Sequence, residues 1–458
     1  MKIEARGIEF VPESERYGSA KRLFTIWFST NMQVTALVVG TLGIASGLDF
    51  VSTTIAILIG NFLGSIFMAA HSAQGPHLGV PQMIQSRAQF GVLGAALPLV
   101  VVVVTYLLFS AANAVIMRNA VKTLLPIGDT QSIIVFGAVT LLVSAAGYEL
   151  IHKIGAVMSL VSLAIFASGT MVLLGKYGLP IDPAKSIAFK SPLFWLVVAQ
   201  AASWTLGFCT FVADYSRYLP KQVSTQSTFW YTYLGSSIGA SLVMIFGALL
   251  AATVGAATTD PGSAIAQLFP HYQVAAFIVI LLGVIEINAL NFYSAYMAIT
   301  TIFTGFRGMS TVSLALKFVI IFCVFIVVTA IAAATQYNFD NYFADILNGQ
   351  IYVLVPWSSI NLADYYFLRK GKYNVAELYD VHGQYGRYNR AAFVAFFFAI
   401  LAEIPFVSLS FFKGPIAKWL DVDIAFVPAL IVPGALYLLF MKSAQSHNAI
   451  QTIQTKEA

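Results

Sequence analysis

Stretches of about twenty apolar residues follow one another along this chain, and that length is what a helix needs to cross the hydrocarbon layer of a bilayer. They are predicted at 24–47, 51–72, 93–116, 131–149, 154–175, 193–213, 229–254, 273–298, 313–334, 344–367, 391–412 and 422–441. Composition agrees: 59% of residues are hydrophobic and 10% charged, where soluble domains carry about 25% charged residues. The expectation is an all-α integral membrane protein of twelve transmembrane helices, embedded in the lipid bilayer of the cell membrane. Formal charge +5 does not point to nucleic acid, because the basic residues sort by membrane side. Of the 25 Lys and Arg residues, only Arg118, Lys122, Lys176, Lys185, Lys190, Lys413 and Lys418 fall on the side opposite the termini. Both termini are therefore expected in the cytoplasm, with 1–23 and 442–458 as tails. Cys209 and Cys323 both lie in apolar runs, which argues against a disulfide framework.

The first stretch, Phe24 to Gly47, has Ser29, Thr30, Asn31, Gln33 and Thr35 at its centre. Lipid offers such groups no hydrogen-bond partner, so they must face protein, water or a ligand. Small hydroxyls often join helix to helix, which accounts for Ser29 or Thr35 but poorly for Asn31 and Gln33. The sixth stretch repeats the theme with Ser203, Trp204, Thr205, Gly207 and Phe208, and the portion from Gly207 to Thr210 can unwind at low cost. Two interrupted helices five apart fit inverted repeats of five helices, about 24–175 and 193–367, within a transport core at 24–373. Helices eleven and twelve, within 374–441, are expected at its periphery.

Other helices add candidate groups. Tyr106, Phe109 and Asn113 share one face of the third helix. Glu286 lies roughly 18 Å into the eighth, at 1.5 Å per residue, near mid-membrane, followed by Asn288 and Asn291. A carboxyl there must be neutral, paired or hydrated, which suits a proton or cation carrier; the plainer role is a protonated side chain bonded to a neighbouring carbonyl. Glu403 is a weaker candidate of the same kind. Between the second and third helices, Gly75, Pro76, Gly79 and Pro81 exclude a long helix, and His71 and His77 read as polar loop residues. Asp214 and Arg217 read as a helix-end ion pair, and Asp364 to Lys372 as a solvated helix end. No nucleotide-binding glycine loop, HExxH or Ser-His-Asp set is present, so an enzyme is not expected. A receptor or channel remains the alternative of a different class.

The runs WFSTNMQVT, IGNFLG, SAQGPHLGVPQMIQSRAQFG, FCTFVADYSRYLP and NALNFYS, in this order, resemble the nucleobase cation symporter-1 family, purine and cytosine permease branch. The resemblance runs from Ile8 to about Tyr373. It implies a substrate held between helices one, three, six and eight, and alternating access. It places a stacking ring at Phe109, where relatives often have Trp, with Asn113 one turn on. The Gly-Trp of helix six falls on Gly207 and Phe208, with Trp204 an alternative ring, and the Asn-x-x-Asn of helix eight falls on Asn288 and Asn291. Asn31 and Gln33 would add contacts from helix one. Sodium-coupled relatives use helix-one carbonyls, here those of Phe28 and Met32, with hydroxyls on helix eight, where this chain has Glu286 and Ile287. The implied activity is proton-coupled import of a purine or cytosine. A sodium-coupled carrier of hydantoin, allantoin, uracil or a vitamin ring is the alternative. No cofactor is expected beyond the coupling ion, H+ or Na+.

Overall fold

The computed structural model describes residues 8–258, 260–308, 312–409 and 411–457. Apart from one isolated antiparallel bridge, Ser408 to Lys413, these residues form helices and their connections. The first apolar stretch is two helices, α1 (Lys21–Thr30) and α2 (Val34–Ala45), meeting at 61°. Then come α3 (Phe50–His71), the short α4 (Gln74–Leu78) and α5 (Gln82–Phe90), and the long α6 (Ala96–Leu124), α7 (Asp129–Ala146) and α8 (Tyr148–Tyr177). The next, α9 (Pro192–Gly207), runs through a 3-10 turn, Phe208–Phe211, into α10 (Val212–Ser216). The remainder is α11 (Thr225–Thr253), α12 (Pro261–Gln267), α13 (Gln273–Arg307), α14 (Leu314–Thr335), α15 (Phe339–Leu362), α16 (Arg390–Glu403), α17 (Pro415–Leu420) and α18 (Phe426–Glu457).

Among the described residues nine helices are long and apolar enough to span a membrane, or ten if the bent α1–α2 pair is one span. The expected stretches at 344–367 and 391–412 fall outside that set. The first is α15, long enough but interrupted by polar groups and Pro356. The second is not one helix: α16 has 14 residues, about 21 Å at 1.5 Å per residue. Pro405, which has no amide hydrogen to donate, lies in the 3-10 turn that ends it.

Both interruptions have local causes. In α1 the side chains of Ser29, Thr30 and Asn31 bond back to carbonyls one turn earlier: Ser29 Oγ and Thr30 Oγ1 to Ile26 at 2.9 and 2.8 Å, Asn31 Nδ2 to Trp27 at 2.7 Å. Such bonds compete with the helical ladder, and by Gln33 the backbone is extended, φ −140° and ψ 153°. In the second case the helix tightens just after Gly207, and Phe211 leaves it at φ −141°, ψ 14°.

Glycine ridges hold both interrupted helices. Gly60 and Gly64 of α3 leave no room for a Cβ against the carbonyls of Val198 and Ala202 in α9. Gly235 and Gly239 of α11 lie so close to α1 that a Cβ would come 2.6 and 2.9 Å from the carbonyl oxygens of Phe24 and Phe28. Gly40 and Gly247 likewise bring α2 and α11 backbone to backbone, at Met244 and Leu37. Small residues allow this approach, which is the main source of helix association in lipid.

The face that carries the N-terminal segment departs most from expectation. Residues 1–7 of the expected tail lie outside the described residues, but the part that follows is docked. Ile8, Val11 and Arg16 are buried; Val11 N bonds Gly79 O at 2.8 Å, Tyr17 N bonds Tyr218 O at 2.7 Å, and Arg16 Nη1 donates to Pro76 O at 2.6 Å. His71 is no loop residue: it is fully buried, stacked on Trp357 at 5.1 Å, with Nε2 2.8 Å from Ser358 Oγ. Asp214 Oδ1 accepts the Gln82 amide at 2.8 Å, and Arg217 reaches Glu9 O and the Tyr218 hydroxyl. Lys153 and Lys456, counted among the basic residues of this side, have side chains outside the described ones.

From α10 a chain of amides crosses this face. Ala213 N donates to Gln82 Oε1 (3.1 Å), Gln82 Nε2 to Gln74 (2.8 Å), Gln74 Nε2 to Asn361 (2.6 Å), Asn361 Nδ2 to Gln89 (3.3 Å), and Gln89 Nε2 to Asp364 (2.8 Å). Asp364, in a π-helical turn (Ala363–Leu368), is fully buried, correcting the solvated helix end expected there. It also accepts from Arg369 Nε (3.1 Å), Tyr373 (2.6 Å) and Tyr437 (2.8 Å). Burial, and then the Asp364 charge, push the Tyr373 phenol well above its usual range, so it stays a donor. Through Tyr437, and through Ser359 Oγ donating to Leu430 O at 2.5 Å, α18 is bonded to α15 directly.

Candidate substrate site

The two interruptions face one cavity. Gln33 and Thr35 line it from the first, Trp204, Gly207, Phe208 and Phe211 from the second, and Thr105, Tyr106, Phe109 and Asn113 from α6. Ile287 and Asn291 of α13 and Gln350 of α15 complete the wall. Of the residues singled out from sequence, Gln33, Tyr106, Phe109, Asn113, Trp204, Gly207, Phe208 and Asn291 meet here. Asn31, Asn288, Glu286, Phe28 and Met32 do not line it.

Asn31 stands behind the wall: its Oδ1 accepts the indole N–H of Trp204 at 2.7 Å while its Nδ2 is held by Trp27 O. Asn288 stands behind Asn113. Thr35 Oγ1 donates to Asn113 Oδ1 at 2.6 Å, and Asn113 Nδ2 to Asn288 Oδ1 at 3.1 Å, leaving Asn288 Nδ2 buried without a partner. The Phe28 carbonyl accepts the Asn31 amide at 3.3 Å, and the Met32 amide bonds Ser29 O at 2.9 Å, so both lie in the turn of the interruption. Glu286 is half-buried, and its carboxyl has no hydrogen-bond partner among the described residues. One turn earlier on the same face, Gly283 lines a second, smaller cavity with Gln33, Val34 and Ser162. Glu403 is buried with both carboxyl oxygens unpartnered.

The aromatic wall is not a parallel slot. Phe109 meets Trp204 edge to face, 6.1 Å between centroids and 74° between planes, and Trp204 meets Phe208 at 5.8 Å and 86°. A planar guest between Phe109 and Trp204 therefore requires one ring to turn. Tyr106 is tied to the second interruption: Thr210 Oγ1 donates to Gly207 O, so the Tyr106 hydroxyl, 3.0 Å away, is the donor to Thr210.

Sequence reasoning passed over Thr105, Phe211 and Gln350. Gln350 lies one residue from Gly349 in a stretch that reads as ordinary helix, and only the approach of α15 to α9 brings it to the cavity.

Comparison with known proteins agrees with this architecture. Residues 10–422 match the family model described as permease for cytosine/purines, uracil, thiamine, allantoin. The chain belongs to this family. Among its permeases, a Bacillus subtilis chain named a purine-cytosine permease, YxlA, is 42% identical over 96% of each chain. The purine-cytosine permease fcyB of Emericella nidulans is 27% identical over 91% of this chain and 84% of its own. Among solved structures, Mhp1, a nucleobase-cation-symport-1 family transporter, in a closed conformation with bromovinylhydantoin bound, superposes with a TM-score of 0.76 at 17% identity over 97% of both chains. Its inward-facing form gives 0.75 at 18% identity, over 97% of this chain and 96% of that one. Membership of this family makes the chain a multi-pass membrane transporter, and the likeness to Mhp1 agrees with it in fold.

Proposed function

We propose that this chain imports a purine or cytosine by alternating access, with Glu286 carrying the coupling proton. The observation that carries the reading is the cavity itself, placed where two helices lose their regular hydrogen bonding. It is walled by Phe109, Trp204 and Phe208 and supplied with amides from Gln33, Asn113, Asn291 and Gln350. Aromatic faces suit a flat heterocycle and amides suit its polar edge. A site with buried amides rejects analogues that leave those amides unpaired.

The twelve-helix, five-plus-five arrangement belongs to the same proposal. It is supported by the paired glycine ridges: α3 on α9 and α11 on α1 use Gly pairs at the same spacing of four to receive an interrupted helix. The face with the N-terminal segment is then cytoplasmic, with both termini on it, by the excess of Lys and Arg on that side.

For coupling, Ile287 offers no hydroxyl and lines the substrate cavity, while Glu286 does not line it. A carboxyl without a cationic partner at this depth is better suited to exchanging a proton than to completing a neutral sodium cage. Uptake of labelled cytosine and adenine into vesicles, with an imposed pH gradient and with choline replacing sodium, tests the assignment. Glu286→Gln is expected to abolish protonophore-sensitive accumulation while leaving substrate exchange. Accumulation by the mutant equal to the unmutated protein, or strict dependence on sodium, overturns proton carriage by Glu286.

A further inference from the structure

We infer that Gln350, on α15, is a specificity-determining residue of this cavity, presenting a fixed hydrogen-bond acceptor to N–H groups of the substrate. The inference rests on the nucleobase reading above and extends it to a residue outside the two interrupted helices.

The orientation of the Gln350 amide follows from its neighbours. On one side lie Ser203 O at 2.8 Å and Ser203 Oγ at 2.7 Å. A carbonyl can only accept, and the Ser203 hydroxyl hydrogen is already given to Leu347 O. Both groups are therefore acceptors, and the atom facing them must be Nε2. That leaves Oε1 on the cavity side, where it is buried and has no partner among the described residues. A second lining residue repeats the arrangement: Gln33 Nε2 is held by Thr30 O at 2.9 Å, so its Oε1 is also the free atom, buried and without a partner among the described residues. Gly207 belongs to the same device, since a Cβ there would lie 2.9 Å from Gln350 Oε1.

A buried acceptor left unsatisfied is unfavourable, so a bound guest is selected for N–H donors that reach it. Two carbonyl acceptors in the lining, with amide donors at Asn113 and Asn291, favour a ring carrying N–H groups beside ring or carbonyl acceptors. They disfavour its N-methylated counterparts.

The test is competition for labelled-base uptake by the full-length chain in membrane vesicles. Competitors are cytosine, adenine, hypoxanthine and uracil, together with N-methyl derivatives of whichever binds best. Gln350→Met keeps the side-chain length and removes the acceptor. It is expected to weaken the parent base about 10- to 100-fold, about 1.4–2.8 kcal/mol at 1.4 kcal/mol per decade. The derivative methylated at the contacting nitrogen should change less than about two-fold. Gly207→Ala, which displaces the same oxygen while keeping Gln350 in the chain, should blunt the same discrimination if Gln350→Met does not reach the membrane. Equal weakening of parent and every methylated derivative, or no change in either, overturns the assignment of Gln350 alone. Failure of the unmutated protein to take up any of these bases overturns the functional reading and this assignment with it.

Discussion

Trp204 owes its position to a residue 173 places earlier: the Asn31 carbonyl oxygen holds its indole N–H at 2.7 Å. Asn31→Ala leaves that N–H buried and unpaired, unfavourable by about 1–3 kcal/mol, and nucleobase uptake is expected to fall. The loss should shrink when Trp204 is already Phe, and a double-mutant cycle on uptake reads this directly. Gln33→Ala removes a cavity acceptor instead, so its effect should persist in the Trp204→Phe background. These two residues show what the sequence displays and what it conceals. That Asn31 and Gln33 require a partner at membrane depth follows from their chemistry alone. Which of them lines the cavity depends on the turn of the chain between positions 30 and 34, set by three competing side-chain bonds. Gln350 carried no such signal, because one amide in a helix of mixed polarity has many solutions.

Helices were the more readable scale. Apolar length locates most of them, and the two interruptions announce themselves as polar residues or glycine where a span should be continuous. The hydrophobic run at 391–412 misleads because apolarity does not register the main-chain effect of Pro405, and α16 ends before it. The glycine ridges explain why α3 and α11 carry the interrupted helices. Gly60→Ala and Gly40→Ala each force a methyl into a neighbouring backbone carbonyl. Overpacking of this kind costs about 1–3 kcal/mol, so both variants should lower the thermal midpoint of the detergent-solubilised protein. Gly175→Ala, where a Cβ would meet nothing within 4 Å, should leave it unchanged or slightly raised. Equal midpoints for all three would remove the ridge as the packing device.

On the scale of the whole molecule, the face bearing the N-terminal segment is closed by polar groups that composition assigns to loops and tails. Arg87, in the short helix α5, is buried, with Nη2 2.8 Å from Thr301 O and the guanidinium over the Tyr379 ring. Asp364, expected in solvent, gathers donors from α5, α18 and its own connection. Gln89 is 275 residues from Asp364 and Thr301 is 214 from Arg87, so no local pattern marks these contacts. Asp364→Asn halves the acceptor capacity and removes the charge facing the partly exposed Arg369, leaving buried donors with fewer acceptors. The expected outcome is a markedly lower thermal midpoint, with trypsin cutting sooner near Arg369. The amide chain that ends on Asp364 has one further property. At its start the backbone N–H of Ala213 can only give a hydrogen, and at its end a carboxylate can only receive one. Every amide between is thereby forced into a single orientation, and the dipoles line up head to tail, each strengthening the next. Loss of a middle link leaves the amides on one side oriented by Ala213 and those on the other by Asp364. α10 and the base of α15 are therefore joined by a chain of amides whose direction is fixed from both ends.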